Sequence, residues 1–198
     1  MKIFRHKTVE PTLTATTRSE TMKDKADNWQ MELANIAWEF EQTLKKSNVT
    51  DLNRKPGSQS WSIAEIISHL ILVNTSYFPT FKQLLKNEYK PPLLGRVPML
   101  GKKVGEMILD AMKKPRKTKT FEIWQPSSQL YDKTILDRFF DQQHQLSSYV
   151  QKLEPLLEKG VMIASPANKW VVYSLDQAIE IILTHEKRHL GQIKTLSN

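Results

Sequence analysis

The sequence predicts an all-α protein, a four-helix bundle with a long crossover between its second and third helices. Four stretches repeat apolar residues at the 3.6-residue spacing of an amphipathic helix. Two of those stretches open on a capping box, a Ser followed three residues later by Glu or Gln. No stretch holds a convincing strand, since none alternates apolar and polar residues over a useful length.

Composition sets the outer bounds. At 198 residues, 39% hydrophobic and 25% charged, the chain suits one globular domain with a real core. No run reaches the ~18 consecutive apolar residues of a membrane span, and the threonine-rich start lacks the apolar centre of a secretory signal. A cytoplasmic protein with no membrane partner is expected. There are no cysteines. Disulfides, thiolate nucleophiles and cysteine-held zinc are therefore excluded, and any transition-metal site must use histidine, carboxylate and water.

Residues 1–20 read as a poorly ordered lead-in, and 21–198 as the single domain. From about Asp24, Trp29, Leu33, Ile36, Ala37, Phe40 and Leu44 share one helical face, and Lys46-Ser47-Asn48 with Pro56-Gly57 ends it. Ser62-Ile63-Ala64-Glu65 opens the second helix, with Trp61 placed to staple onto Ile66. Its apolar stripe runs through Ile66, Leu70, Tyr77, Phe81 and Leu84, and Pro91-Pro92 closes it. Residues 91–128 form the crossover, broken by five prolines, with a short helix over Lys102–Lys114. A connection this long suits a bundle whose joined helices run parallel.

The third helix starts near Leu130 and packs through Leu136, Phe139, Phe140, Leu146, Val150 and Leu153. Pro155 kinks or ends it, with Gly160 as the latest stop, and Ser165-Pro166-Ala167-Asn168 makes a loop. Ser174-Leu175-Asp176-Gln177 is the second capping box, and the last helix runs to Leu196.

That last helix carries His185-Glu186-Lys187-Arg188-His189. Histidines four apart lie one turn above each other, so both imidazoles reach one metal ion. A helical zinc protease would need a third ligand downstream, yet the nine residues after His189 hold no His, Asp or Glu. The third ligand must come from upstream. His69 lies at the edge of the second helix's stripe, seven residues past its cap, while His185 lies eleven past its own. If both helices start at one level, the two sites come within about one turn. His69, His185 and His189 then make a three-histidine set with open positions, the mark of a catalytic rather than a structural metal. Glu186 falls at the centre of its stripe, where a carboxylate must be paired, hydrogen-bonded or near a metal. His6 and His144 have no assigned role.

Trp61-Ser62-x-x-Glu65-x-x-x-His69, the long crossover, and His185-Glu186-x-x-His189-x-x-Gln192-Ile193 together resemble the DinB-like superfamily. The resemblance covers about 21–198. It implies an up-down-down-up bundle, often dimeric, whose His69, His185 and His189 hold a divalent metal, zinc or nickel. It implies a small-molecule substrate, with activities that include metal-dependent hydrolysis and transfer of a low-molecular-weight thiol. On this reading the metal lowers the pKa of a water or thiol that attacks an electrophile. Glu186 either accepts a proton or orients an imidazole. The second role is favoured because one helical step separates its direction from that of His185.

The net charge of +8 is concentrated: between Lys82 and Lys119 there are eleven Lys/Arg against three acids. No aromatic-interleaved, glycine-rich or zinc-finger pattern accompanies it, so specific nucleic-acid binding is not expected. If this stretch folds over the metal end, Arg96, Lys102 or Lys103 would hold a carboxylate of thiol or substrate. The competing reading is a non-catalytic helical accessory protein whose metal is structural or absent.

Overall fold

The structure is a computed structural model that describes residues 14–96, 98–114 and 119–197. Helices α1 (Thr14–Leu44), α3 (Ile63–Leu85), α5 (Thr134–Leu157) and α6 (Leu175–Ser197) form the bundle. Their apolar stripes meet in one core, in which Phe40, Ile66, Leu70, Phe81, Phe139, Leu146 and Ile193 are buried. Each such side chain contributes roughly 1.5–3 kcal/mol relative to exposure.

Side-chain pairings fix the directions. Lys25 pairs with Asp176 and Glu180, Glu32 with Lys187, and Glu39 with Lys194, so α1 and α6 run parallel. Gln30 donates to the Ser147 carbonyl and Phe40 stacks against Phe139 at 4.6 Å, so α1 and α5 run antiparallel. Asn74 bonds Gln142, and Phe78 and Phe81 both contact Tyr149, so α3 and α5 run parallel. The order is up-down-down-up.

The Ser62 capping box is complete. Ser62 Oγ accepts from the Glu65 amide at 3.2 Å, and Glu65 Oε2 accepts from the Ser62 amide at 2.9 Å. Lys55 binds the other oxygen of Glu65 at 2.7 Å. The Trp61 ring lies 4.9 Å from that of His69. At Ser174 the Gln177 oxygen accepts from the Ser174 amide and hydroxyl, while the Gln177 amide donates to the Lys102 carbonyl.

The structure corrects or refines four local expectations. α1 starts at Thr14, upstream of Asp24 and inside the expected lead-in; residues 1–13 lie outside the described residues. A short helix, α2 (Val49–Asn53), occupies the expected turn, capped reciprocally by Asn48 and Asp51 with Leu52 buried. α5 passes Pro155 and ends at Leu157, before the expected latest stop at Gly160, which takes the left-handed φ of 59° that turns the chain. Finally, the last loop is an antiparallel hairpin, β1 (Met162–Ser165) and β2 (Asn168–Ser174), which places Ile163 opposite Tyr173. Val171, Val172 and Tyr173 suit a strand. The segment is too short to show alternation above its neighbours.

Within the crossover, α4 (Pro98–Lys113) lies along β2 and α6. It bonds Gln177 at Lys102 and Arg188 at Met112 and Lys114, so it runs parallel to α6. Two glycines permit this approach. A Cβ on Gly105 would sit 2.3 Å from Gln177 Oε1, and one on Gly101 would sit 3.3 Å from the Val172 carbonyl oxygen.

Candidate metal centre

The Ser62 capping box and the Ser174–Gln177 bonds start α3 and α6 in registers that turn His69, His185 and His189 toward one point. One ring nitrogen from each lies within 4.8 Å of the others. The Nε2 of His185 is 3.2 Å from that of His69 and 3.1 Å from that of His189. The opposite nitrogens fix the tautomers. His69 Nδ1 donates to the Trp124 carbonyl at 2.7 Å, and His189 Nδ1 donates to Gln192 Oε1 at 3.1 Å. Carbonyl oxygens only accept, so both Nδ1 atoms carry the proton and both Nε2 atoms present lone pairs. A proton on His185 Nε2 would serve one of them and leave the other facing it. A divalent cation serves all three, and leaves the proton of His185 on its buried Nδ1, which has no hydrogen-bond partner among the described residues.

The electrostatics favour the same state. Burial lowers the pKa of His69 against the opposing effect of its bond to Trp124. Burial, then the neighbouring histidines and Arg188, holds His185 well below the usual value. For His189, burial is the main cause and His69 and Arg188 add to it, bringing the pKa to about 3. Near neutral pH the triad is therefore uncharged, the form that ligates a metal.

Glu186, between the two histidines in sequence, turns the other way into the core. It is fully buried, and its Oε1 accepts from Asn74 on α3 and Gln143 on α5. Burial raises its pKa to about 7 against the opposing effect of these two bonds. Among the described residues its hydrogen-bond partners include no imidazole. Among the described residues the metal-ligating group contains the three histidines and no fourth residue.

The family model of the DinB superfamily matches residues 36–193. The chain belongs to the DinB superfamily. Its fold is also that of YfiT from Bacillus subtilis, described as a probable metal-dependent hydrolase with an unusual four-helix bundle topology. That likeness has a TM-score of 0.55 at 12% identity, covering 96% of this chain and 91% of that one. No curated protein matches the chain.

Within this DinB bundle Lys102 does not lie level with the histidines. Lys102 lies level with Gln177, eight residues before His185 and so roughly 12 Å down the helix. Lys103 follows it, and the Arg96 side chain lies outside the described residues. Arg188 acts electrostatically on His185 and His189, and its guanidinium donates to the Met112 and Lys114 carbonyls. His144 is exposed on α5, and His6 lies outside the described residues. The sequence pattern did not single out Trp124, Asn74, Gln143 or Arg188. Asn74 and the Gln142-Gln143 pair, polar residues in apolar stripes, carried the one readable signal.

Proposed function

We propose that this DinB-superfamily chain is a metal-dependent enzyme that activates a water or a small thiol at His69, His185 and His189. The observation that carries the reading is the convergence of three neutral Nε2 lone pairs beside a glutamate turned away from them. Histidine-only ligation suits zinc or nickel. A bound metal of this kind acts as a Lewis acid, lowering the pKa of the nucleophile it holds. Trp124 and Gln192 keep two of the imidazoles in the ligating tautomer, which is the usual work of residues behind a metal ligand. Glu186 ties α6 to α3 and α5 and so fixes the height of His185 and His189 against His69. That role differs from orienting an imidazole directly, and the bonds to Asn74 and Gln143 support it. A structural metal would need a fourth protein ligand, and the orientation of Glu186 argues against its closing the site.

The test uses protein purified without a histidine tag. About one zinc or nickel per chain is expected, lost in His69→Ala and in His185→Ala. Cobalt substitution then reads the open position: a small thiol or azide should change the visible spectrum. Activity follows with an activated ester for hydrolysis and a thiol with an electrophile for transfer. A cobalt spectrum indifferent to every added ligand would sink the catalytic reading and leave a structural site.

A further inference from the structure

The crossover is fastened to α3 along the edge that carries His69. Trp124 makes two bonds there: its carbonyl accepts from His69 Nδ1 at 2.7 Å, and its indole Nε1 donates to Ser76 Oγ at 3.0 Å. Ser76 is seven residues beyond His69, two turns along the same face. Its own hydroxyl proton goes to the Val73 carbonyl at 2.5 Å, which leaves the oxygen to accept the indole. Further along, the Tyr131 hydroxyl donates to the Ser127 carbonyl at 3.0 Å and lies 3.1 Å from Ser68 Oγ. The turn carrying Trp124 is closed by its amide on the Phe121 carbonyl, and the Phe121 ring meets the indole edge-on at 5.4 Å.

The carbonyl that sets the tautomer of His69 thus belongs to a surface connection rather than to the bundle, and a side chain on that connection sets where the carbonyl lies. We propose that Trp124 is a positioning residue for the metal centre, through which docking of residues 121–124 onto α3 and metal binding by His69 reinforce each other. The inference rests on the metal reading of the three histidines. Without the carbonyl, His69 is free to rotate or to move its proton to Nε2, and either change removes its lone pair from the site. Loss of a partner behind a metal ligand typically weakens binding about 10–100-fold. Coupling of two equilibria is also reciprocal. Whatever factor docking contributes to metal affinity, metal must contribute the same factor to docking.

Two measurements test this on the full chain with zinc as the probe: affinity by competition with a chromophoric chelator, and amide hydrogen exchange across residues 119–126 with and without zinc. Trp124→Phe and Ser76→Ala each remove the indole–hydroxyl bond, and each is expected to weaken zinc about tenfold. Ser76→Thr, which keeps the hydroxyl, is expected to retain wild-type affinity. In the wild type, zinc is expected to slow exchange in 119–126 by a similar factor, and by less in the two weakened variants. The proposal is overturned if zinc binds equally to all four proteins. It is overturned equally if affinity falls while zinc leaves the exchange of 119–126 unchanged. Failure of the wild type to bind either zinc or nickel overturns the metal reading itself, and this inference with it.

Discussion

His69 and His185 are 116 residues apart in the chain, yet their Nε2 atoms lie 3.2 Å apart. Two nitrogens held this way by separate helices give up favourable solvation without a bond in return when no cation or shared proton joins them. Metal binding should therefore stabilise the fold as well as complete the site. At a zinc concentration 100-fold above its dissociation constant, linkage gives about 2.7 kcal/mol. The melting temperature of the wild type should rise accordingly. His185→Ala should show no zinc-dependent rise, while its metal-free form melts at or above the metal-free wild type. A zinc-dependent rise that survives His185→Ala would remove that histidine from the ligand set.

Acid should undo the metal-free fold in a defined window. The folded pKa of His189, about 3, lies below the unfolded value of 6.5, and His69 and His185 are shifted the same way. The folded protein therefore binds fewer protons, and the triad's contribution falls as pH drops from 6.5 toward 3. Zinc should hold the histidines neutral and move this loss to lower pH. Thermal unfolding from pH 7 to 4, with and without zinc, checks the shift.

Much of this site was legible because its determinants are local. Ser62 and Glu65 set the phase of α3, and counting from that cap placed His69 at the level of His185. The spacing of His185 and His189 on one helix needs no tertiary information at all. What stayed hidden depends on partners remote in sequence. Trp124 reaches His69 across 55 residues through its backbone, which carries no residue-type signal. Glu186 could be read as a buried carboxylate and Asn74 and Gln143 as polar residues within apolar stripes, but their pairing was not readable because the three come from different helices. The β1–β2 hairpin was missed because Pro166 and Asn168 mark a loop more strongly than four- and seven-residue strands mark a sheet.

The close approach of α4 to α6 should be sensitive to a single methyl group. Gly105→Ala places a Cβ against Gln177 Oε1, the atom that accepts from the Ser174 amide at the start of α6. Either Gln177 moves and gives up that bond, or α4 lifts away from α6. Overpacking of this kind costs about 1–3 kcal/mol. Equilibrium denaturation should show that loss for Gly105→Ala, while Gly191→Ala, whose Cβ meets nothing within 4 Å, should not. Equal stability of both variants would mean that α4 is not held where the glycines place it.

Glu186 should titrate against the direction of the histidines. Its folded pKa, about 7, lies above the unfolded value of 4.5, because burial penalises the charge more than Asn74 and Gln143 relieve it. A raised carboxylate pKa contributes stability that is full below 4.5 and lost as pH rises through 7, by roughly 3 kcal/mol at most. Glu186→Gln keeps an oxygen for the same two amides and cannot ionise. Wild type compared with Glu186→Gln in the metal-free state therefore isolates this one titration from the acid loss of the triad. The wild type should lose ground to the variant between pH 4.5 and 7.5, and the gap should then level off. Gln143→Ala, by contrast, removes one of the two amides serving the carboxylate and should destabilise by about 1–3 kcal/mol, more at pH 8 than at pH 5. A stability difference between wild type and Glu186→Gln that is flat across this range would show the carboxylate to be ionised throughout. A nearby cation that these bonds do not reveal would then have to be sought around it.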